Sequence, residues 1–450
     1  MAGVSINPRV TRILSISLLV LHFTIVIIIW LNASHSLLLG GAAAATVAFG
    51  QLFGLLAASC ALLQFMLMGR AAWIEQAFGL ENLAKLHRLN GYATITCITI
   101  HPVLLTVGYA ILGHTGFVAQ FLSFVTDYED VWKALIAALL FASVVFASVY
   151  IVRKHLRYEV WHWVHIMVYG AIILAFGHQV HVGGSFVGRP ALIIYWYGLY
   201  AFAGLNVLIW RFLLPLYNAW RFNFAISRVE RETHDTVSVY ISGRGLERFR
   251  ARPGQFVFIW ILRKPYLFEE HPFSLSALPA GNVMRVTIKN VGDYTAKIQG
   301  LTAGARVVVS GPYGRFTPPN SERTRLYLAG GVGITPIRTM LEAQNPATDS
   351  ILIYGNKTQS DTIFERELAA LTRTRKLKIH HVYSAEPTHK GETGHVDLSL
   401  IERLVPDFRE REVFLCGPPA MMATLTATLK QAGLPSHRLH FERSALHPVS

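Results

Sequence analysis

The chain has 450 residues, of which 52% are hydrophobic, with a mean hydropathy of +0.38 and a formal net charge of +14. That hydropathy excludes an ordinary soluble globule, and three cysteines (Cys60, Cys97, Cys416), two of them in apolar segments, exclude a disulfide-built scaffold. The positive charge does not imply nucleic acid, because much of it flanks apolar runs, where membrane topology accounts for it.

Six apolar runs, near residues 12–32, 46–69, 90–113, 132–152, 162–182 and 190–214, are long enough to cross a bilayer. Arg9 and Arg12 precede the first run, which lacks a small-residue cleavage site and reads as a retained span. Arg70, Lys85 and Arg88 follow the second run, Arg153, Lys154 and Arg157 the fourth, and Arg211 and Arg221 the sixth. The other loops hold almost no Lys or Arg, and one carries Asp127, Glu129 and Asp130. The positive-inside rule then predicts cytoplasmic N- and C-termini.

His87 and His101 lie 14 residues apart at the third run, and His165 and His178 lie 13 apart in the fifth. At ~1.5 Å per residue these are rises of roughly 21 and 20 Å, most of a ~30 Å hydrocarbon core. Ionisable side chains inside a membrane are costly and mark functional sites. Runs three and five point the same way, which pairs His87 with His165 and His101 with His178. Each pair could hold a haem iron between two imidazoles. One mismatch stands: at about 100° per residue His101 returns to within ~40° of His87, whereas His178 falls ~140° from His165. Tilt, or an irregularity near Gly170 and Gly177, is the expected correction. His162 and His181 are alternative ligands, but their separation of roughly 28 Å does not match the other helix.

From about residue 221 the pattern turns to short strands. "VSVYISG", "GQFVFIWI", "VMRVTIKN" and "ARVVVSG" suggest a small antiparallel barrel. From about 323, strand, Gly-rich turn and helix alternate, which predicts a parallel sheet with crossover helices. The expected fold is therefore a six-helix transmembrane bundle over 1–220, an antiparallel β-barrel FAD domain over 221–320 and an α/β Rossmann-like nucleotide domain over 321–450.

"LAGGVGITP" (328–336) follows a strand and opens a helix. Gly330, Gly331 and Gly333 would let the backbone approach a pyrophosphate, with Thr335 and Pro336 beginning the helix behind them. "YGNKT" (354–358) ends the next strand, where Lys357 could pair with a 2′-phosphate or be a solvated surface lysine. "CGPPAMM" (416–422) places Cys416, Gly417 and Pro418 near the expected nicotinamide; Cys416 reads equally as a buried structural thiol.

"HPFSLSALP" (271–279) resembles the flavin-binding motif of the ferredoxin–NADP reductase superfamily, in which His271, Pro272, Phe273 and Ser274 take the places that bind the isoalloxazine and ribityl chain. "IKNVGDYT" (288–295) and "GPYG" (311–314) fit the same pattern, putting Gly292, Asp293 and Thr295 near the flavin pyrophosphate. With "LHRLNGYATITCITIHPVLL" (86–105) and "YEVWHWVHIMVYGAIILAFGH" (158–178), nearly the whole chain resembles the NADPH oxidase and ferric reductase superfamily in its compact bacterial form. That resemblance implies a relay in a bacterial inner membrane: NADPH or NADH to FAD, FAD to two b-type haems, and the outer haem to oxygen or a ferric chelate. Two departures stand out: Ser444 occupies the place of a flavin-stacking aromatic, with Phe441 displaced by three residues. Leu105 occupies a position one turn past His101 that can be polar in oxygen-reducing members, while His114, His181 and the Asp127–Asp130 loop could attract a ferric complex. Alternatives are a haem-bearing redox sensor or anchor without turnover, a reductase feeding a cytosolic protein, and a transporter.

Overall fold

The computed structural model describes residues 8–442 apart from 154, 157, 187, 268, 320–322 and 387–391. The chain divides into two compact units, Met1–Phe212 and Leu213–Ser450.

The first unit is helical: α1 (Pro8–Leu39), α2 (Ala42–Met68), α3 (Ala72–Phe78), α4 (Leu80–Leu112), α5 (Phe117–Asp127), α6 (Val131–Ser148), α7 (Tyr150–Arg153), α8 (Tyr158–His181) and α9 (Pro190–Val207). A π-turn, Leu208–Leu213, leads into α10 (Leu214–Phe222). Six helical segments are long and apolar enough to cross a membrane, at the places the apolar runs predict. The third starts ten residues early, at Leu80, because the polar lead-in is helical too; Lys85 and Glu81 pair across one turn at 2.7 Å. The apolar α5 is a helix of 11 residues, too short to read as a span.

Small residues let α2 and α4 approach closely, as membrane helices do without a hydrophobic force between them. A Cβ on Gly108 would lie 2.6 Å from the Val47 side chain, and one on Gly50 2.8 Å from Leu105. α4 packs chiefly on α2, and α8 chiefly on α6.

The second unit begins with a six-stranded antiparallel sheet: β1 (Ala225–Thr233), β2 (Thr236–Ser242), β3 (Phe256–Ile261), β4 (Glu270–Ala280), β5 (Val283–Lys289) and β6 (Val307–Tyr313). The order is β1-β2-β5-β4-β3-β6. A bridge between Ala225 and Arg306 and the bond from Ile226 N–H to the Ala305 carbonyl (2.8 Å) join the two edges into a barrel. Ile226, Ile241, Leu275, Val286 and Val309 fill it, and α11 (Asp293–Ile298) covers it.

The rest is a parallel sheet, β10-β9-β8-β7-β11-β12, of β7 (Arg325–Gly330), β8 (Ser350–Asn356), β9 (Leu377–Tyr383), β10 (Glu392–Thr393), β11 (Glu412–Cys416) and β12 (Leu439–Phe441). Its helices are α12 (Ile334–Ala343), α13 (Glu365–Thr374), α14 (Leu398–Leu404) and α15 (Pro419–Gln431). The central strands ("RLYLAG", "EVFLC"), apolar after their first residues Arg325 and Glu412, are buried on both faces, as a covered parallel sheet requires.

Candidate functional site

His87 and His165 face each other with ring centres 6.0 Å apart. Two imidazoles sharing one metal at ~2.0–2.1 Å would have ring centres roughly 6 Å apart. Ser148 Oγ lies 3.4 Å from His165 Nδ1 and accepts the Trp161 indole N–H at 3.2 Å, while Trp161 lies against the His165 ring at 4.9 Å. His101 Nδ1 donates to the Gly50 carbonyl at 2.8 Å, which turns Nε2 outward. Such second contacts fix the ring and tautomer of a metal-binding histidine. A Cβ on Gly54 would lie 2.7 Å from the His101 ring, so that position needs glycine. His178 is the electrostatic neighbour of His101.

The two pairs thus come together near corresponding ends of α4 and α8. His87 and His178 are buried, with the backbones of Gln64 and of Ala175 near enough to pair with their rings. Buried imidazoles facing each other, with anchored rings, fit haem ligation. The expected correction at Gly170 and Gly177 is not a break, because α8 runs unbroken through both. The irregular helix is α4, where Pro102 directly after His101 removes a rung of the backbone ladder. Of the alternatives, His162 stands edge-on to Trp163, and His181 belongs to another cluster.

In that cluster His181 Nδ1 lies 3.5 Å from Glu129 and 3.3 Å from Asp130, one turn beyond His178. Asp130 reaches the helix because Gly177 has no side chain: a Cβ there would overlap its carboxylate at 2.1 Å. A hydrogen bond from Lys133 holds the Asp130 carboxyl below its ordinary range. Leu105 packs on Gly50, and His114 takes a left-handed conformation at the end of α4.

In the barrel, β4 carries His271, Pro272, Phe273 and Ser274 in register with Ile259, Phe258, Val257 and Phe256 of β3. His271 stacks on Tyr294 of α11 at 3.8 Å, and Phe273 lies nearly parallel to the same ring at 6.5 Å. Glu269 accepts from His271 Nε2 at 3.2 Å and from Lys297 at 3.0 Å. Burial lowers the His271 pKa and the Glu269 contact opposes that shift. The Tyr294 hydroxyl is buried without a partner, and a Cβ on Gly292 would meet open space. An aromatic shelf beside an open glycine turn fits a flavin. Thr295 accepts the Val291 and Gly292 N–H groups, both at 2.9 Å, so its hydroxyl shapes the turn, and Asp293 opens α11.

In the parallel sheet the Gly-rich loop and the Cys416 turn form one surface, since β7 and β11 are neighbours with Ala329 opposite Cys416. A Cβ on Gly333 would lie 2.3 Å from the Cys416 carbonyl oxygen, and one on Gly330 2.7 Å from Pro418 and 3.5 Å from Gly417. Gly331 takes φ +50° and has open space beside it. No side chain caps the start of α12, where the Ile334 N–H bonds back to the Gly331 and Val332 carbonyls. Thr335 and Pro336 are buried and build the helix start, Thr335 donating to the Val332 carbonyl at 2.9 Å. Lys357 is exposed. Beside it, the Asn356 amide is buried next to the Tyr354 hydroxyl, a group overlooked in the sequence although it sits within "YGNKT". Burial pushes the partly buried Cys416 thiol up to about 12, with Glu442 adding to the shift. Phe441 packs on the core beside β12, and Ser444 lies outside the described residues.

Membrane helices with paired histidines, a flavin-type barrel and a nicotinamide-type sheet define a membrane-embedded NAD(P)H- and FAD-dependent oxidoreductase. Three family models match: "Ferric reductase like transmembrane component" over 53–176, "FAD-binding domain" over 221–317 and "Oxidoreductase NAD-binding domain" over 327–426. The chain thereby has the domain architecture of the NADPH oxidase and ferric reductase superfamily. The first match includes His87, His101 and His165 and ends two residues before His178.

The chain is 31% identical to an NADPH oxidoreductase of Mycobacterium tuberculosis, over 52% of this chain and 62% of that protein. It is 29% identical to a glycine betaine monooxygenase reductase subunit of Chromohalobacter salexigens, over 51% and 66%. These matches span just under two-thirds of the relatives' length. The FAD/NAD-binding domain of a nitric oxide dioxygenase from Vibrio cholerae is 22% identical over 49% of this chain and 97% of that one, with a TM-score of 0.44.

Proposed function

We propose that the protein carries electrons across a bacterial inner membrane, from cytoplasmic NADPH or NADH to an extracytoplasmic acceptor. When bound, FAD would accept a hydride and release electrons singly, and two b-type haems would relay them. The observation that carries the reading is the facing of His87 and His165, with His101 anchored toward His178, in one chain with flavin and nicotinamide folds.

Each group has a task on this reading. His87 with His165, and His101 with His178, hold two irons, while Ser148, Trp161 and the Gly50 carbonyl orient the rings. His271, Phe273 and Tyr294 support the flavin ring, and Gly292 leaves room for its phosphates. Gly330, Gly331 and Gly333 with the α12 N-terminus take the nucleotide pyrophosphate, Asn356 and Lys357 its ribose end, and Cys416, Gly417 and Pro418 border the nicotinamide. The Lys and Arg distribution puts the termini and both nucleotide sites in the cytoplasm.

A ferric chelate is favoured over oxygen as acceptor. Glu129, Asp130 and His181 offer hard oxygen and imidazole donors one turn beyond His178, and Leu105 supplies no polar group for oxygen.

The test is haem content together with NADPH-driven reduction of cytochrome c and of ferric citrate, with and without superoxide dismutase. Wild type should hold two haems per chain and reduce ferric citrate whether or not the dismutase is present. His101→Leu should hold one haem and lose external reduction at least ~100-fold, since even outer-shell changes at metal sites cost 10–100-fold. Unchanged reduction by His101→Leu would mean a reductase serving a cytosolic protein. A cytochrome c signal abolished by the dismutase would make oxygen the acceptor.

A further inference from the structure

Between the barrel and the parallel sheet lies a set of buried charges that the roles above leave unused. Arg285 on β5 is 4% exposed, and its guanidinium grips both oxygens of Glu367 on α13, at 2.6 and 3.0 Å. The same guanidinium reaches Ser276 on β4, donating to its hydroxyl at 3.2 Å and to its carbonyl at 3.3 Å. From the other side Arg338 on α12 donates to that carbonyl at 2.7 Å, to Glu342 at 2.9 Å, and to Glu367. The Phe364 ring lies beneath both guanidinia, at 4.6 and 5.8 Å.

The position of this network is what matters. Ser276 lies two residues beyond Ser274 on the flavin-type strand, and Arg338 lies in the first half of the helix opened by the Gly-rich loop. One backbone carbonyl of the strand that carries the flavin motif therefore accepts from its neighbour β5 and from the element that carries the nucleotide motif. Glu367 makes that convergence possible. Without its charge two guanidinia would meet at one oxygen in a poorly solvated place, where like charges repel strongly. Burial raises the Glu367 carboxyl, but the hydrogen bond from Arg285 and the charge of Arg338 hold it below its usual range, so it stays ionised. The planar forks give direction as well as attraction, which an ammonium would not. A second tie, from Gly254 N–H to Thr339 Oγ1 at 2.8 Å, joins the barrel to the same helix. Each layer has its own apolar core without these charges, so the network is not what folds either one.

We infer that Arg285, Glu367 and Arg338 form a positioning clamp that sets the separation of the flavin strand β4 from the nucleotide helix α12, and so the reach of the hydride between their two ligands. The inference rests on the reading of the HPFS and GGVG segments as flavin and nicotinamide sites. These residues touch neither ligand; they act through Ser276 and α12. A misplacement of 1 Å can cost on the order of a hundredfold in rate.

The test is anaerobic rapid mixing of the full, FAD-loaded protein with NADPH, following flavin bleaching, with 4-deuterated NADPH as a second substrate. Glu367→Gln should slow flavin reduction at saturating NADPH by ~10–100-fold, with bound FAD retained, the half-saturating NADPH concentration within about threefold and an altered deuterium isotope effect. Glu367→Asp should recover part of the rate. If Glu367→Gln fails to hold FAD, Arg338→Lys, which keeps the charge and loses the fork, decides by the same readouts. Reduction at the wild-type rate with an unchanged isotope effect, in whichever variant holds FAD, would overturn the clamp. Failure of the wild-type protein itself to bleach its flavin would overturn the underlying site reading instead.

Discussion

In the helical unit large apolar side chains face outward, with Ile13 64% and Ile173 74% exposed, whereas in the second unit Ile226 is 1% and Ile353 0% exposed. Polar groups differ as sharply. Ser and Thr hydroxyls in the helices fold back onto carbonyls four residues earlier, as in Thr46 to Ala42 and Thr94 to Asn90. The second unit instead buries charged side chains held by carboxylates at its surface, such as Arg411 with Asp349 and Asp407. A lipid solvent rewards self-sufficient helices, and a water-facing fold can afford charge provided it is paired. In the first unit, then, a buried ionisable side chain such as His87 or His178 is conspicuous. In the second, buried polar groups are common, so the Asn356 amide gains meaning only from its place beside the Gly-rich loop.

If the comparison is right, damage to one unit should leave the other's chemistry intact. The largest effect belongs to Gly333→Ala, whose Cβ would push the Gly-rich loop from Cys416. A forced overpacking of ~1–3 kcal/mol corresponds to roughly a 5–150-fold rise in the NADPH concentration for half-saturation, with haem spectra unchanged. Titration of flavin bleaching checks this; unchanged affinity would place the pyrophosphate elsewhere. Gly54→Ala is the reverse case. It presses on the His101 ring and should shift the potential and absorbance of one haem of two, leaving NADPH-to-FAD transfer within about twofold, since the flavin unit is untouched. A redox titration showing both haems unmoved would remove His101 from the ligand set.

The smallest effect is a pH dependence. The folded pKa of His271 lies below its unfolded value, so the unfolded chain binds more protons between them. Its stabilising share is complete above pH ~6.5 and is lost as pH falls toward the folded value. FAD retention should therefore weaken as pH falls below about 6.5, and His271→Gln should flatten that slope in a fluorescence assay of released flavin.

Much of this was legible in the sequence, for reasons that differ between the units. The spans were plain because apolar length is a strong signal, and the strand-and-turn pattern announced the parallel sheet. The helical lead-in to α4 was hidden by its charges, and α5 by its length. The azimuth mismatch lay between His165 and His178 in α8, which runs unbroken, so periodicity alone was no guide to their pairing. Gly54 and Ser148 were invisible as ring supports, since each meets its histidine from elsewhere in the chain. The same is true of Arg285, Ser276, Arg338 and Glu367, four residues from four elements that only the tertiary fold assembles.

Cys416 carries one last consequence. A thiol whose pKa has risen to about 12 is ionised in on the order of one molecule in 10⁵ at neutral pH, and the thiolate is the form that peroxide attacks. On the function proposed above, a bound flavin exposed to air would shed partially reduced oxygen within the same unit of the chain. Held protonated, Cys416 should resist sulfenylation while the protein turns over, a built-in durability against its own by-products.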